Sequence, residues 1–120
     1  DPLGAVTPQV HGLLGTAFTM EQSFYRDRLA AHGITALIPP AHDRATMHQV
    51  IYEELVHGVI NEASRREFGD IIARLVDEGA QGVILGCTEI ELLISQVDSP
   101  VPVFLTTALH VSAAVTAAMR

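Results

Sequence analysis

The chain is 120 residues long, 48% hydrophobic and 18% charged, a balance that excludes disorder and suits one domain with its own core. Fourteen acidic residues against seven arginines give a net charge of -7, so no basic surface is offered to a phosphate backbone and nucleic acid is not an expected partner. No apolar run approaches the ~18 residues of a membrane span, so no membrane partner is expected. The chain has no lysine, which removes Schiff-base chemistry, pyridoxal phosphate attachment and a Walker-type phosphate loop.

Residues 1–9, with Pro2 and Pro8, read as an extended lead-in or linker, and a start at Asp1 rather than Met suggests an excised segment. Val10 to Gly15 is the first apolar run and a strand candidate. Thr19-Met-Glu-Gln22 then places a hydroxyl three residues before an amide, the capping-box pattern. A helix is expected from there to about His32, with Gly33 as its left-handed stop. Ile34 to Ile38, halted by Pro39-Pro40, is the second strand. Asp43 is placed to cap a helix in which Met47, Ile51 and Leu55 share one face.

Ser64-Arg-Arg-Glu67 repeats the capping pattern ahead of Phe68, Ile71, Ile72, Leu75 and Val76, whose spacing is that of an amphipathic helix ended by Gly79. Gly82-Val-Ile-Leu-Gly-Cys87 is continuously apolar, as in a parallel strand buried on both faces. Thr88-Glu-Ile-Glu91 is a third capping box and opens a short helix to about Ser95. A last strand from Pro102 to Leu105 precedes an Ala-rich helix from Thr107 to Met119. Four strands alternating with helices imply an α/β three-layer sandwich built on a four-stranded parallel sheet. In the flavodoxin-like order 2-1-3-4, the first and third strands meet at the switch point, which sets Gly15-Thr16 beside Gly86-Cys87 where such sheets bind ligands.

Cys87 is the only cysteine, so an internal disulfide is impossible and a cytoplasmic location is expected. At the end of a strand and the start of a helix, its sulfur is expected to gain from the helix terminus, with a thiol pKa lowered by at most about one unit. The competing reading is a buried cysteine acting as a small hydrophobe. Thr88 is placed either to cap its helix, with Glu91 as reciprocal partner, or to hold a carboxylate ligand. Glu89, one step into the helix, is expected to point elsewhere. Thr16 and Thr19 flank the first strand-helix loop, and Thr106 and Thr107 the fourth. The six histidines form no ligand set: His42 and His48 are six apart, no His-Glu-x-x-His occurs, and one cysteine cannot make a zinc cage. No metal is expected.

Gly86-Cys87-Thr88-Glu89-Ile90 resembles the aspartate/glutamate racemase family. The likeness extends through Gly12-Leu-Leu-Gly-Thr16, Ile51-Tyr-Glu-Glu-Leu55 with Gly58, Gly79 to Gly86, and Pro100-Val-Pro-Val103 with Thr106, Thr107 and His110. The resemblance implies a two-lobed enzyme with its substrate between the lobes and a cysteine from each lobe facing the α-carbon. It needs no cofactor: one thiolate removes the α-proton while the other thiol delivers one from the opposite face. On that resemblance residues 10–120 form the second, C-terminal lobe. Cys87 matches its catalytic cysteine, and Thr88, Glu89 and Thr16 match substrate-binding positions. His57 is a further candidate for holding a carboxylate. Leu105 departs from the Asp that members often carry there.

The implied function is a cofactor-independent racemase acting on a small dicarboxylic amino acid, this chain supplying one of two lobes and having little activity alone. The implied partner is the missing N-terminal lobe, or another copy in a homo-oligomer that covers the apolar stripe of Val111, Ala114, Val115 and Ala118. The alternative is a non-catalytic α/β ligand-binding or assembly module derived from the same fold.

Overall fold

A computed structural model of the chain describes residues 9–105; residues 1–8 of the expected lead-in, Thr106, Thr107, His110 and the Ala-rich last helix lie outside the described residues, while Gln9, placed in the lead-in by its sequence, pairs with Ile34 as the first residue of a strand. The described elements, in order, are β1 (Gln9–Leu14), α1 (Ala17–Glu21), α2 (Ser23–Ala31), β2 (Ile34–Leu37), α3 (Ala41–Glu53), a 3₁₀ turn (Leu55–His57), α4 (Glu62–Asp77), β3 (Gly82–Leu85), 3₁₀ segments at Thr88–Leu92 and Gln96–Asp98, and β4 (Val103–Leu105).

The four strands form one parallel sheet in the order β2-β1-β3-β4, as the alternation of elements implied. β1 pairs with β3 so that Leu14 stands beside Leu85, and Gly86 N–H donates to the Leu14 carbonyl across 2.6 Å. Successive side chains of a strand point to opposite faces, and each face is covered. On one, Leu14, Val83 and Leu85 pack with Met47, Val50 and Ile51 of α3 and with Phe68, Ile71, Ile72 and Leu75 of α4. On the other, Leu13 and Ile84 pack with Leu29 and Tyr25 of α2. This is a three-layer α/β sandwich.

Two of the apolar spacings read from the sequence lie in the core: Met47, Ile51 and Leu55 are buried, as are Phe68, Ile71, Ile72 and Leu75 of α4, with Val76 partly buried against them. Gly33 and Gly79 take positive φ, 79° and 112°, just past the ends of α2 and α4, where a side chain would strain the left-handed turn.

The helix starts differ from the capping patterns in a consistent way. Thr16, not Thr19, is the first N-cap, its Oγ1 accepting from Thr19 N–H; the helix then breaks at Gln22, whose extended backbone separates α1 from α2. α4 begins two residues before Ser64, with Asn61 accepting from Ala63 N–H across 2.8 Å. Ser64 is buried instead and donates to Glu54 Oε1 across 2.8 Å, tying α4 to the end of α3. Pro40 precedes α3 as its cap residue. Asp43, in the first turn, is buried and receives Nη2 and Nε of Arg74 at 3.0 and 3.2 Å, so its carboxylate braces α3 to α4. Among the described residues, the one reciprocal capping box occurs where no such pattern was expected, between Ser95 and Asp98.

Candidate active site

Thr16 and Cys87 each lie two residues beyond a register pair at the carboxyl end of the two central strands, Thr16 after Leu14 and Cys87 after Leu85. The chain reverses tightly there. A side chain at Gly15 or Gly86 would press on the Thr19 methyl, with contacts of 3.1 and 3.0 Å, so the glycines let α1 close over the ends of β1 and β3. The sheet order thus brings the first loop and the Gly-Cys-Thr-Glu segment to one place, the crevice where parallel sheets bind ligands.

Cys87 is half-buried and packs against the larger core cluster. Its Sγ donates to Glu89 Oε1 across 3.0 Å. Burial pushes the thiol up to about 11, with the adjacent carboxylate adding to the rise. This overturns the expected lowering. The reason is local: Cys87 is itself the N-cap of a five-residue 3₁₀ segment, and its side chain caps no amide there. Too few peptides are aligned to set a helix dipole against desolvation and a facing anion. A thiol with that pKa is ionised in roughly one molecule in ten thousand at pH 7. The same contact lowers the Glu89 carboxyl, since the thiol hydrogen bonds to its charged form. Glu89 therefore does not point elsewhere; it turns back onto the cysteine.

Thr88 is the first residue of the 3₁₀ segment and exposed, with Cys87 in the cap position assigned to Thr88 by its sequence pattern. Glu91, its supposed reciprocal partner, has one carboxylate oxygen buried without a partner among the described residues. Thr16 Oγ1, besides accepting from Thr19 N–H, donates to Thr19 Oγ1 across 3.2 Å. His57 ends the 3₁₀ turn after α3, exposed, with Gly58 behind it in the left-handed conformation. That turn packs beside the Thr88–Leu92 segment, but no hydrogen bond joins His57 to Cys87 or Glu89 among the described residues. The structure thus joins Cys87 to Glu89 directly, sets Thr16 beside them at the strand ends, and leaves His57 on the flank.

One side chain in contact with the first loop has no motif in the sequence. His48, on α3, accepts from Ala17 N–H through Nδ1 at 3.0 Å, and its ring lies against Tyr52 with centroids 4.6 Å apart. The signal that could have found it is the run Ala41, Ala45, His48, in which small residues one turn apart open a groove before the ring. Among the described residues no group of three or more His, Cys, Asp or Glu side chains could hold a metal ion, and no helix is long and apolar enough to cross a membrane.

The Asp/Glu/hydantoin racemase model matches residues 5–114, and the chain belongs to that family. A candidate Asp/Glu racemase from Yersinia pestis, known from its crystal structure, is 49% identical with a TM-score of 0.84; the match covers 94% of this chain and 49% of that one. An aspartate racemase homologue from Pyrococcus horikoshii is 32% identical with a TM-score of 0.79, at the same coverages. A Picrophilus torridus aspartate racemase, at 22% identity and a TM-score of 0.60, shares the fold. An uncharacterised protein from Pectobacterium carotovorum is 31% identical over 86 residues, 71% of this chain and 55% of its own length. The chain therefore spans about half the length of the relatives it matches.

Proposed function

We propose that this chain is the second lobe of a cofactor-independent racemase for a small dicarboxylic amino acid, with Cys87 serving one face of the α-carbon. The observation that carries the reading is the Cys87–Glu89 pair at the carboxyl end of β3, at the switch point of a racemase-family sheet. Inverting an α-carbon requires a base on one face and an acid on the other, and the chain contains a single cysteine. A thiol held at about 11 rests protonated, so Cys87 is the acid of the resting lobe. It gives its proton to the α-carbanion as a base from the other lobe takes the original α-proton. The C–H bond broken on one face is replaced by one formed on the other, and the only change is configuration.

Glu89 accepts from the thiol and so aims its proton. Thr16 and Thr88 supply hydroxyls for a substrate carboxylate, and His57 stands on the flank as a further carboxylate partner. The lobe runs from Gln9, the first residue of β1, onward, and the site is completed by an N-terminal lobe or by a second copy.

Measuring α-proton exchange of L- and D-aspartate in D₂O, with this chain alone and then with the N-terminal half of a relative, tests the reading. The chain alone is expected to be almost inert and the pair active, with Cys87→Ser reducing exchange by about 10²–10⁴-fold, the usual worth of a positioned acid-base group. Full turnover by the chain alone would contradict the two-lobe account. A pair that binds aspartate without exchanging its α-proton would favour the non-catalytic ligand-binding module.

A further inference from the structure

Thr16 is held by more than its own cap. The peptide group between Thr16 and Ala17 carries the N–H that His48 Nδ1 accepts at 3.0 Å. That peptide plane sets ψ of Thr16, 164°, and with it where the Thr16 Cβ stands relative to α1, whose Thr19 its hydroxyl bonds. Ala17 N–H is one of the helix-start amides with no intrahelical acceptor. Here an imidazole from a different helix satisfies it. A ring nitrogen that accepts an N–H carries no proton of its own, so this contact exists only with neutral His48, its proton on Nε2.

We propose that His48 is the positioning residue of the first ligand loop: as a neutral imidazole it pins the Thr16–Ala17 peptide, and on taking a proton it releases the loop. The inference rests on the assignment of Thr16 to substrate binding. Protonation turns Nδ1 from acceptor into donor, so the ring and the amide then present two hydrogens to each other and the bond is lost. The half-buried ring is kept in place by Tyr52 on one side. It lines an open groove of about 480 Å³ between α1 and α3, together with Ala17, Glu21, Ala45 and Gln49. The titratable groups around it are Glu21 of α1, held by Arg44 across 3.2 Å, and Tyr52 and Glu53 of α3. Cys87 is not among the residues that line this groove.

The test follows Ala17 by ¹⁵N NMR of the full chain between about pH 8 and 5, the range in which histidine changes charge. The Ala17 amide shift is expected to titrate together with the His48 ring, and its hydrogen exchange to lose protection at the acid end. His48→Asn places a neutral acceptor near the position of Nδ1, so protection is expected to persist while the titration vanishes; His48→Leu is expected to lose both. Aspartate binding by the same chains paired with the N-terminal half of a relative reads the consequence at Thr16, weakened several-fold at acid pH with the unaltered chain but not with His48→Asn. An Ala17 amide that titrates equally in His48→Asn, or stays fixed as the His48 ring titrates, overturns the proposal. If Ala17 follows His48 but the chain paired with the N-terminal half binds aspartate equally at every pH, the positioning stands and the substrate assignment of Thr16 fails.

Discussion

The Cys87 thiol donates to the Glu89 carboxylate two residues later, Sγ to Oε1 at 3.0 Å, so the sulfur at the end of β3 is held protonated by its own neighbour. Burial acts in the same direction, and the two together carry the thiol to about 11.

The thiol is therefore expected to alkylate slowly at neutral pH. Its iodoacetamide rate should climb with an inflection near pH 11 rather than below the range of free thiols. Glu89→Gln removes the facing negative charge and should move the inflection down, raising the rate at pH 8. Rapid labelling of the unaltered chain at pH 7, unaffected by Glu89→Gln, would contradict the pairing.

Thr16 carries two separable duties. As the N-cap of α1 it satisfies Thr19 N–H, and Thr16→Ala is expected to cost about 1 kcal/mol by urea unfolding, the usual worth of a cap. Thr16→Ser keeps the cap and should restore stability. If the hydroxyl also meets substrate, Thr16→Ala should weaken aspartate binding in the two-lobe assembly at temperatures where the lobe remains folded.

Asp43 and Arg74 brace the two helices of one layer. The carboxylate is buried while the guanidinium is half-exposed, so removing the arginine leaves a charge with little access to water. Arg74→Met is expected to cost about 1–3 kcal/mol, and the double change Asp43→Leu with Arg74→Met to recover much of that loss. Urea midpoints of the three chains check this; equal midpoints would show that the pair contributes nothing.

Asp98 links stability to pH. Burial lifts its carboxyl, but Arg65 at 2.9 and 3.2 Å and the Ser95 N–H at 2.8 Å outweigh burial, and the net shift is downward. A carboxyl with a lower pKa folded than unfolded adds stability at neutral pH, and that contribution is lost as pH falls through its folded value. Asp98→Asn is expected to be less stable than the unaltered chain at pH 7, the difference shrinking below about pH 4. A difference that stays constant down to pH 2 would assign the effect to packing rather than charge.

The order of elements, the parallel sheet, its 2-1-3-4 arrangement and the buried faces of α3 and α4 were legible in the sequence, because period and burial are properties of a segment and its neighbours along the chain. The position of Cys87 at a strand end beside Thr16 followed from the same reading. Capping was legible only in part. A hydroxyl with an acid or amide three residues on is as compatible with the interior of a helix as with its start, and Ser64 took Glu54 as partner because α3 ended within its reach. The charge state of Cys87, the turn of Glu89 back onto it, the Asp43–Arg74 brace and the hold of His48 on Ala17 belong to the tertiary structure. Except for the Cys87–Glu89 pair, these contacts join residues 31 positions apart. That pair is local, but its energetics depend on how deeply the fold buries the sulfur, and a sequence pattern carries the identity of a residue without the solvent around it.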